Sequence, residues 1–117
     1  MAYIGTPIVR NGQLWVAQQL TTIQVDSPHW FGWLHTTTSF SYALGAPTFY
    51  SLTLRKEKRR QHSYWYAYLK SGNKLHNAYA GRTEALSTAR LDQVAHHLLQ
   101  KVRQHDVLTD EKKKEGD

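Results

Sequence analysis

HSYWYAYLK, residues 62 to 70, is the stretch on which the fold turns. Successive side chains of a β-strand point to opposite faces. Trp65, Ala67 and Leu69 therefore share one face, and Tyr64, Tyr66, Tyr68 and Lys70 share the other. The flanking segments keep the same period. Upstream, Tyr50, Leu52 and Leu54 alternate with Ser51, Thr53 and Arg55; downstream, Ala78 and Ala80 alternate with Asn77 and Tyr79. Ser71-Gly72 reads as the hairpin turn between HSYWYAYLK and NKLHNAYAG.

The segment after Gly81 changes period. Behind a cap at Ser87 or Thr88, the apolar residues Leu91, Val94, Ala95, Leu98, Leu99 and Val102 follow a helical spacing and form a one-sided stripe. Lys101 and Arg103 suit the negative end of that helix. Leu52, Leu54, Trp65, Ala67, Leu69, Ala78 and Ala80 can rest on the stripe, the alanines letting the helix lie close. The fold class is α+β: an antiparallel sheet of three core strands, open to addition from the N-terminal half, packed on a C-terminal helix.

The N-terminal half is less regular. Residues 3 to 24 alternate loosely around the Asn11-Gly12 turn, enough for one or two strands. Ser27 and Pro28 then open a short helix or turn whose Trp30, Phe31, Trp33 and Leu34 dock on the core. SFSYAL and TFYSLTLR read as strands broken by Gly45-Ala46-Pro47. The expected organisation is one domain over 1–105, with the sheet-helix core at 48–104 and a flexible charged tail at 106–117.

A chain of 117 residues has room for one core. Four Trp, seven Tyr and three Phe supply much of its burial, so the chain reads as folded. There is no Cys, hence no disulfide framework and no thiolate zinc site, in keeping with a reducing cytoplasm. MAYIGTPIVRNGQLW lacks the cationic start and apolar run of a signal peptide, and no stretch approaches the roughly 18 apolar residues of a membrane helix. A soluble, cytoplasmic protein with no membrane partner is expected. Seven His show no repeated ligand spacing, and His96 and His97 lie about 100° apart on their helix. Paired carboxylates, a Gly-rich phosphate loop and a nucleophile elbow are also missing. The expectation is a non-enzymatic protein without metal or cofactor.

Charge is the most uneven property of the chain. Residues 55 to 82 hold eight cations against Glu57, a net of +7, which exceeds the +6 of the whole chain. Such a concentration is the footprint of a polyanion-binding face, set against the plainer reading of a solvated hairpin. RKEKRR, residues 55 to 60, has no apolar member and reads as a flexible basic loop. The tyrosine face admits two readings. The aromatic N-terminal half covers it as a second core layer, or it stays open, with rings packing on bases and sugars while cations meet phosphates.

At these residues the chain resembles a known family. The segment from TFYSLTLR to LDQVAHHL, about residues 48 to 99, is similar to the N-terminal arm-binding domain of tyrosine recombinases, the phage-type integrases. The matching positions are Trp65, Tyr68, Gly72, Gly81, Leu86-Ser87 and Ala89-Arg90. That family shares a three-stranded sheet plus helix with plant AP2-type transcription factors, whose sheet lies in the DNA major groove. YWYAY followed by a Gly-Arg segment also resembles a stretch in LuxR/MalT-like bacterial regulators. Unlike integrase arms, KLHNAYAG holds a single Lys and a single His, and no recombinase catalytic domain fits in the remainder. The resemblance implies a stand-alone DNA-binding module of bacterial or phage type, a small regulator of transcription or an accessory factor.

Carried over by position, the nucleic-acid-facing residues are Arg55, Tyr64, Tyr66, Tyr68, Lys70, Lys74 and Asn77, the last suited to an adenine edge. Lys56, Lys58, Arg59 and Arg60 would meet the phosphate backbone from the connecting loop, and Arg82 completes the set. DNA is favoured over RNA, and a homodimer or protein partner remains open. The alternative is a protein-interaction domain, with the sheet as scaffold and Trp30, Phe31 and Trp33 as an exposed contact.

Overall fold

Three short strands open the chain: β1 (Ile8–Arg10), β2 (Gln13–Val16) and β3 (Gln19–Gln24). A computed structural model describes residues 6–45 and 50–115, with side chains through residue 104. Asn11 and Gly12 join β1 to β2 with φ of 54° and 75°, the pair of positive values that a type I′ hairpin turn requires. Ala17 and Gln18 repeat that geometry between β2 and β3, at 51° and 65°, without a Gly or Asn to ease it.

Helix α1 (Pro28–Thr36) follows as expected. The Ser27 hydroxyl accepts from the Trp30 N–H at 3.3 Å, and Pro28 sits in the first turn, where its missing N–H costs nothing. The helix carries the chain across to β4 (Ser39–Ala43), which runs parallel to β1. A parallel neighbour needs a crossover of this kind. Then β5 (Ser51–Arg59), β6 (His62–Ser71) and β7 (Lys74–Gly81) form an antiparallel meander. The seven strands make one sheet in the order β3-β2-β1-β4-β5-β6-β7. Three of them are the expected core strands, and the N-terminal half extends the same sheet edge to edge.

A short 3-10 turn (Thr83–Ala85) leads into helix α2 (Thr88–Glu115). Ser87 is its cap, accepting from the Arg90 N–H at 3.2 Å. Asp26 adds a second acceptor from the far half of the chain, taking the Thr88 N–H at 2.7 Å. The helix runs to Glu115, so the backbone at 106–115, read from sequence as a tail, is helical. The Gly45-Ala46-Pro47 break lies partly outside the described residues.

Both helices lie on one face of the sheet. Leu91, Val94, Ala95, Leu98 and Val102 of α2 are buried with Leu69, Ala78 and Ala80, as the helical stripe predicts. At the centre, Phe40 stands edge-on to Trp30 (centroids 5.5 Å apart) and to Trp65 (5.3 Å), so α1, β4 and β6 share one aromatic cluster. Both fully buried indoles have acceptors: Trp30 donates to the Leu86 carbonyl at 2.8 Å, and Trp65 to the Thr83 hydroxyl at 3.0 Å.

Two sequence expectations are corrected by this architecture. Trp30 is fully buried, Trp33 stacks on it at 5.4 Å, and Phe31 packs partly buried against the core, so the three are not an exposed contact surface. RKEKRR is not a loop either. Residues 55 to 59 lie within β5, each paired across to β6 from Arg55↔Tyr66 to Arg59↔His62, and only Arg60 enters the turn, with φ of 59°. Cross-strand pairing and Trp65 on the neighbouring strand hold extended a segment with no apolar residue of its own.

Candidate functional site

Period two places the residues of interest, and the cross-strand register fixes which of them meet. On the sheet face away from the helices, Thr53 stands beside Tyr68, Arg55 beside Tyr66, and Glu57 beside Tyr64. On the other side of β6, Tyr66 pairs with Tyr79, Tyr68 with Asn77, and Lys70 with Leu75. Among the described residues the N-terminal half does not cover this face. Arg55, Lys70, Asn77 and Tyr79 are exposed, and Tyr64, Tyr66 and Tyr68 are half-buried only by one another and their neighbours.

The rings form a connected surface. Tyr79 lies between Tyr64 and Tyr66, with centroids 6.0 and 5.6 Å away, and the Arg59 guanidinium sits 5.5 Å from the Tyr66 ring. That distance is within cation–π range. Glu57 stands among these groups. It accepts from the Tyr68 hydroxyl and pairs with Arg59 at 3.1 Å. The Glu57 carboxylate, chiefly through that hydrogen bond, raises the Tyr68 pKa above the usual tyrosine value. Arg10, exposed on β1, has the same facing as Ile8 and opposite to buried Val9, so it adds a fourth cation to Arg55, Arg59 and Lys70. Among the described residues, four cations therefore stand on this face against Glu57 alone.

The expected contacts divide. Arg55, Arg59, Tyr64, Tyr66, Tyr68, Lys70 and Asn77 come together on the open face. Lys56 does not. It lies on the helix side opposite Trp65, where its ammonium donates to the Leu34 and His35 carbonyls at 2.7 and 3.1 Å and stands 5.3 Å from the indole. It neutralises the negative end of α1, and burial pushes its pKa down. Lys58 and Lys74 share that facing and are exposed, while Arg60 occupies the turn. Arg82 lies past the end of β7, beside Tyr79 and Arg90 around a depression of about 500 Å³. Thus the +7 segment is spread over both sides of the sheet.

Sequence reasoning missed Arg10 and the central place of Glu57. It also missed two cations of α2: Arg90 donates to the Tyr79 and Ala80 carbonyls, and Lys101 to the Asn77 carbonyl. A helical projection puts Arg90 and Lys101 on one flank, but only the sheet order shows that β7 is the strand they meet. Among the described residues no group of His and carboxylates is disposed to hold a metal ion, and no helix is long and apolar enough to cross a membrane. The chain matches no known family, no curated protein and no solved structure.

Proposed function

We propose that this protein is a non-enzymatic DNA-binding module that lies on its ligand with the open tyrosine face of the sheet. One observation carries the reading: a sheet face left free by both helices, with a connected tyrosine surface and four cations against one carboxylate. Tyrosines present a flat apolar ring with a polar tip, suited to sugars and base edges, while Arg and Lys neutralise phosphates. Side chains on paired strands are held at fixed spacing, which base reading requires. Arg55, Arg59, Lys70 and Asn77 are the residues placed to position and read, and Lys58 and Arg60 add field from the hairpin end. Such a module suits a small regulator or an accessory factor. The protein-interaction alternative has less support, because Trp30 is fully buried and Phe31 and Trp33 pack partly buried against the core.

The test is a polarisation titration with labelled duplex DNA at increasing salt. With about four phosphate contacts, affinity should fall roughly 100-fold between 50 and 200 mM salt through counterion release. A flat response would overturn the proposal.

A further inference from the structure

The outer edge of β7 is not bare. Its Asn77 carbonyl accepts from Lys101 at 2.8 Å, and its Tyr79 and Ala80 carbonyls accept from Arg90 at 3.1 and 2.8 Å. These bonds hold α2 beside the strand and block a further strand from pairing there. Between strand and helix lies a groove of about 610 Å³, with Tyr66, Asn77 and Tyr79 on the sheet side and Arg90, Gln93 and Lys101 on the helix side. His97 lines it as well.

Its chemistry is specific. Lys101 has three N–H donors and uses one on the strand; the guanidinium of Arg90 has five and uses two on the strand and one on Gln93. Both cations are fixed by backbone carbonyls and keep donors to spare. Arg90 and Lys101 stand roughly 16 Å apart along the helix axis. Among the described residues no carboxylate lines the groove. Asp92 is engaged elsewhere, accepting from the Tyr42 hydroxyl. Aromatic rings, the amides of Asn77 and Gln93, and pre-set cations are the groups that hold an unstacked base and its phosphate. The size suits a small molecule rather than a base pair.

We infer that this groove receives an unpaired nucleotide of the strand lying on the tyrosine face. Its base packs on Tyr79 and Tyr66, its base edge meets Asn77 and Gln93, and phosphates of the strand on either side of it lie against Arg90 and Lys101. The inference rests on the DNA-binding reading, because Tyr66, Asn77 and Tyr79 belong to both surfaces. Its consequence is a preference for DNA in which a single strand leaves a duplex.

The experiment compares a blunt duplex with the same duplex carrying a short single-stranded overhang, by polarisation at constant salt. The overhang should bind on the order of 10-fold more tightly, the scale of one stacked base. Joint substitution of Gln93→Ala and His97→Ala, both exposed helix positions, removes the base-edge contact and groove wall on the helix side and should reduce that preference several-fold while leaving blunt-duplex affinity in place. Equal binding of the two DNAs, or a preference undiminished by the double substitution, would overturn the groove assignment while the tyrosine-face reading stands. Failure to bind either DNA would overturn both.

Discussion

Arg55 and Lys56 are neighbours in sequence and carry the same charge, yet they stand on opposite faces of β5 in different surroundings. Arg55 is exposed beside Tyr66, where a cation is available to a ligand. Lys56 lies beside Trp65, with its ammonium on two carbonyls at the end of α1. The same division runs through the whole β5–β6 hairpin. One face is set by the helices, which leave no solvent for Leu52, Leu54, Trp65 or Ala67. The other is set by what the strands themselves bring, and its rings touch one another and water. A run of positive charge thus contains both solvent-facing and structural cations, and only facing separates them.

The sharpest way to break this division is across β6. Trp65 is fully buried, packs on Phe40 and donates to Thr83, so Trp65→Ala should lose about 3–5 kcal/mol in a denaturant titration. For a domain of ordinary stability that is a large part of the margin. Tyr66→Ala, one residue on, removes ring contacts with Tyr79 and Arg59 and should cost about 1 kcal/mol or less while weakening DNA binding. Equal destabilisation by the two would mean that the tyrosine face is core.

Next in size is the pair on β5. Lys56→Ala removes a charged donor from the Leu34 and His35 carbonyls and a cation from the Trp65 ring. It should cost about 1.5–3 kcal/mol by thermal or chemical unfolding, with the salt slope of DNA binding unchanged. Arg55→Ala should do the reverse. Stability should stay within about 0.5 kcal/mol, and the salt slope should flatten by about one unit. A common effect on binding would show that the charge of the segment acts as a whole, irrespective of facing.

The two strands on either side of HSYWYAYLK show why some of this was legible in the sequence and some was not. Period two in that stretch separated Trp65 from Tyr66 because its residues differ in polarity as they alternate. The helical stripe from Leu91 to Val102 was legible for the same reason. In β5 beyond Leu54 the alternation is between one charged residue and the next, so polarity carries no record of facing. Lys56 reaches an inner position by laying its apolar stem along the core and delivering its charge to α1, a partner distant in sequence. The β2–β3 turn was hidden because Ala17 and Gln18 are not turn residues, their positive φ being imposed by the pairing of the strands around them. The groove along α2 depends on which strand ends the sheet, a property of topology that no local pattern encodes.

The smallest expected contrast lies between two tyrosines with the same chemistry. Tyr42 donates to Asp92 on the helix side, and Tyr68 donates to Glu57 on the open side. Tyr42 is 8% exposed, so its hydroxyl has little water to fall back on; burial first, then Asp92, raise its pKa above the usual value. Tyr68 is raised chiefly by its bond to Glu57, with burial second. Tyr42→Phe should therefore cost about 1–2 kcal/mol, toward the lower end for a bond to a charged acceptor because Asp92 itself is exposed, whereas Tyr68→Phe should stay within about 0.5 kcal/mol. Their pH dependence has one sign. A pKa raised on folding means that the folded state holds the proton more tightly. The stabilisation is then complete below the unfolded value of about 10 and is lost as pH rises through the folded value. Stability measured from pH 8 upward should decline from about pH 10 in the wild-type protein. Tyr42→Phe should remove more of that decline than Tyr68→Phe, because desolvation acts more strongly at Tyr42. If the two substitutions flattened the alkaline limb equally, burial would not distinguish these hydroxyls, and the contrast between a covered and an open face would fail at its finest point.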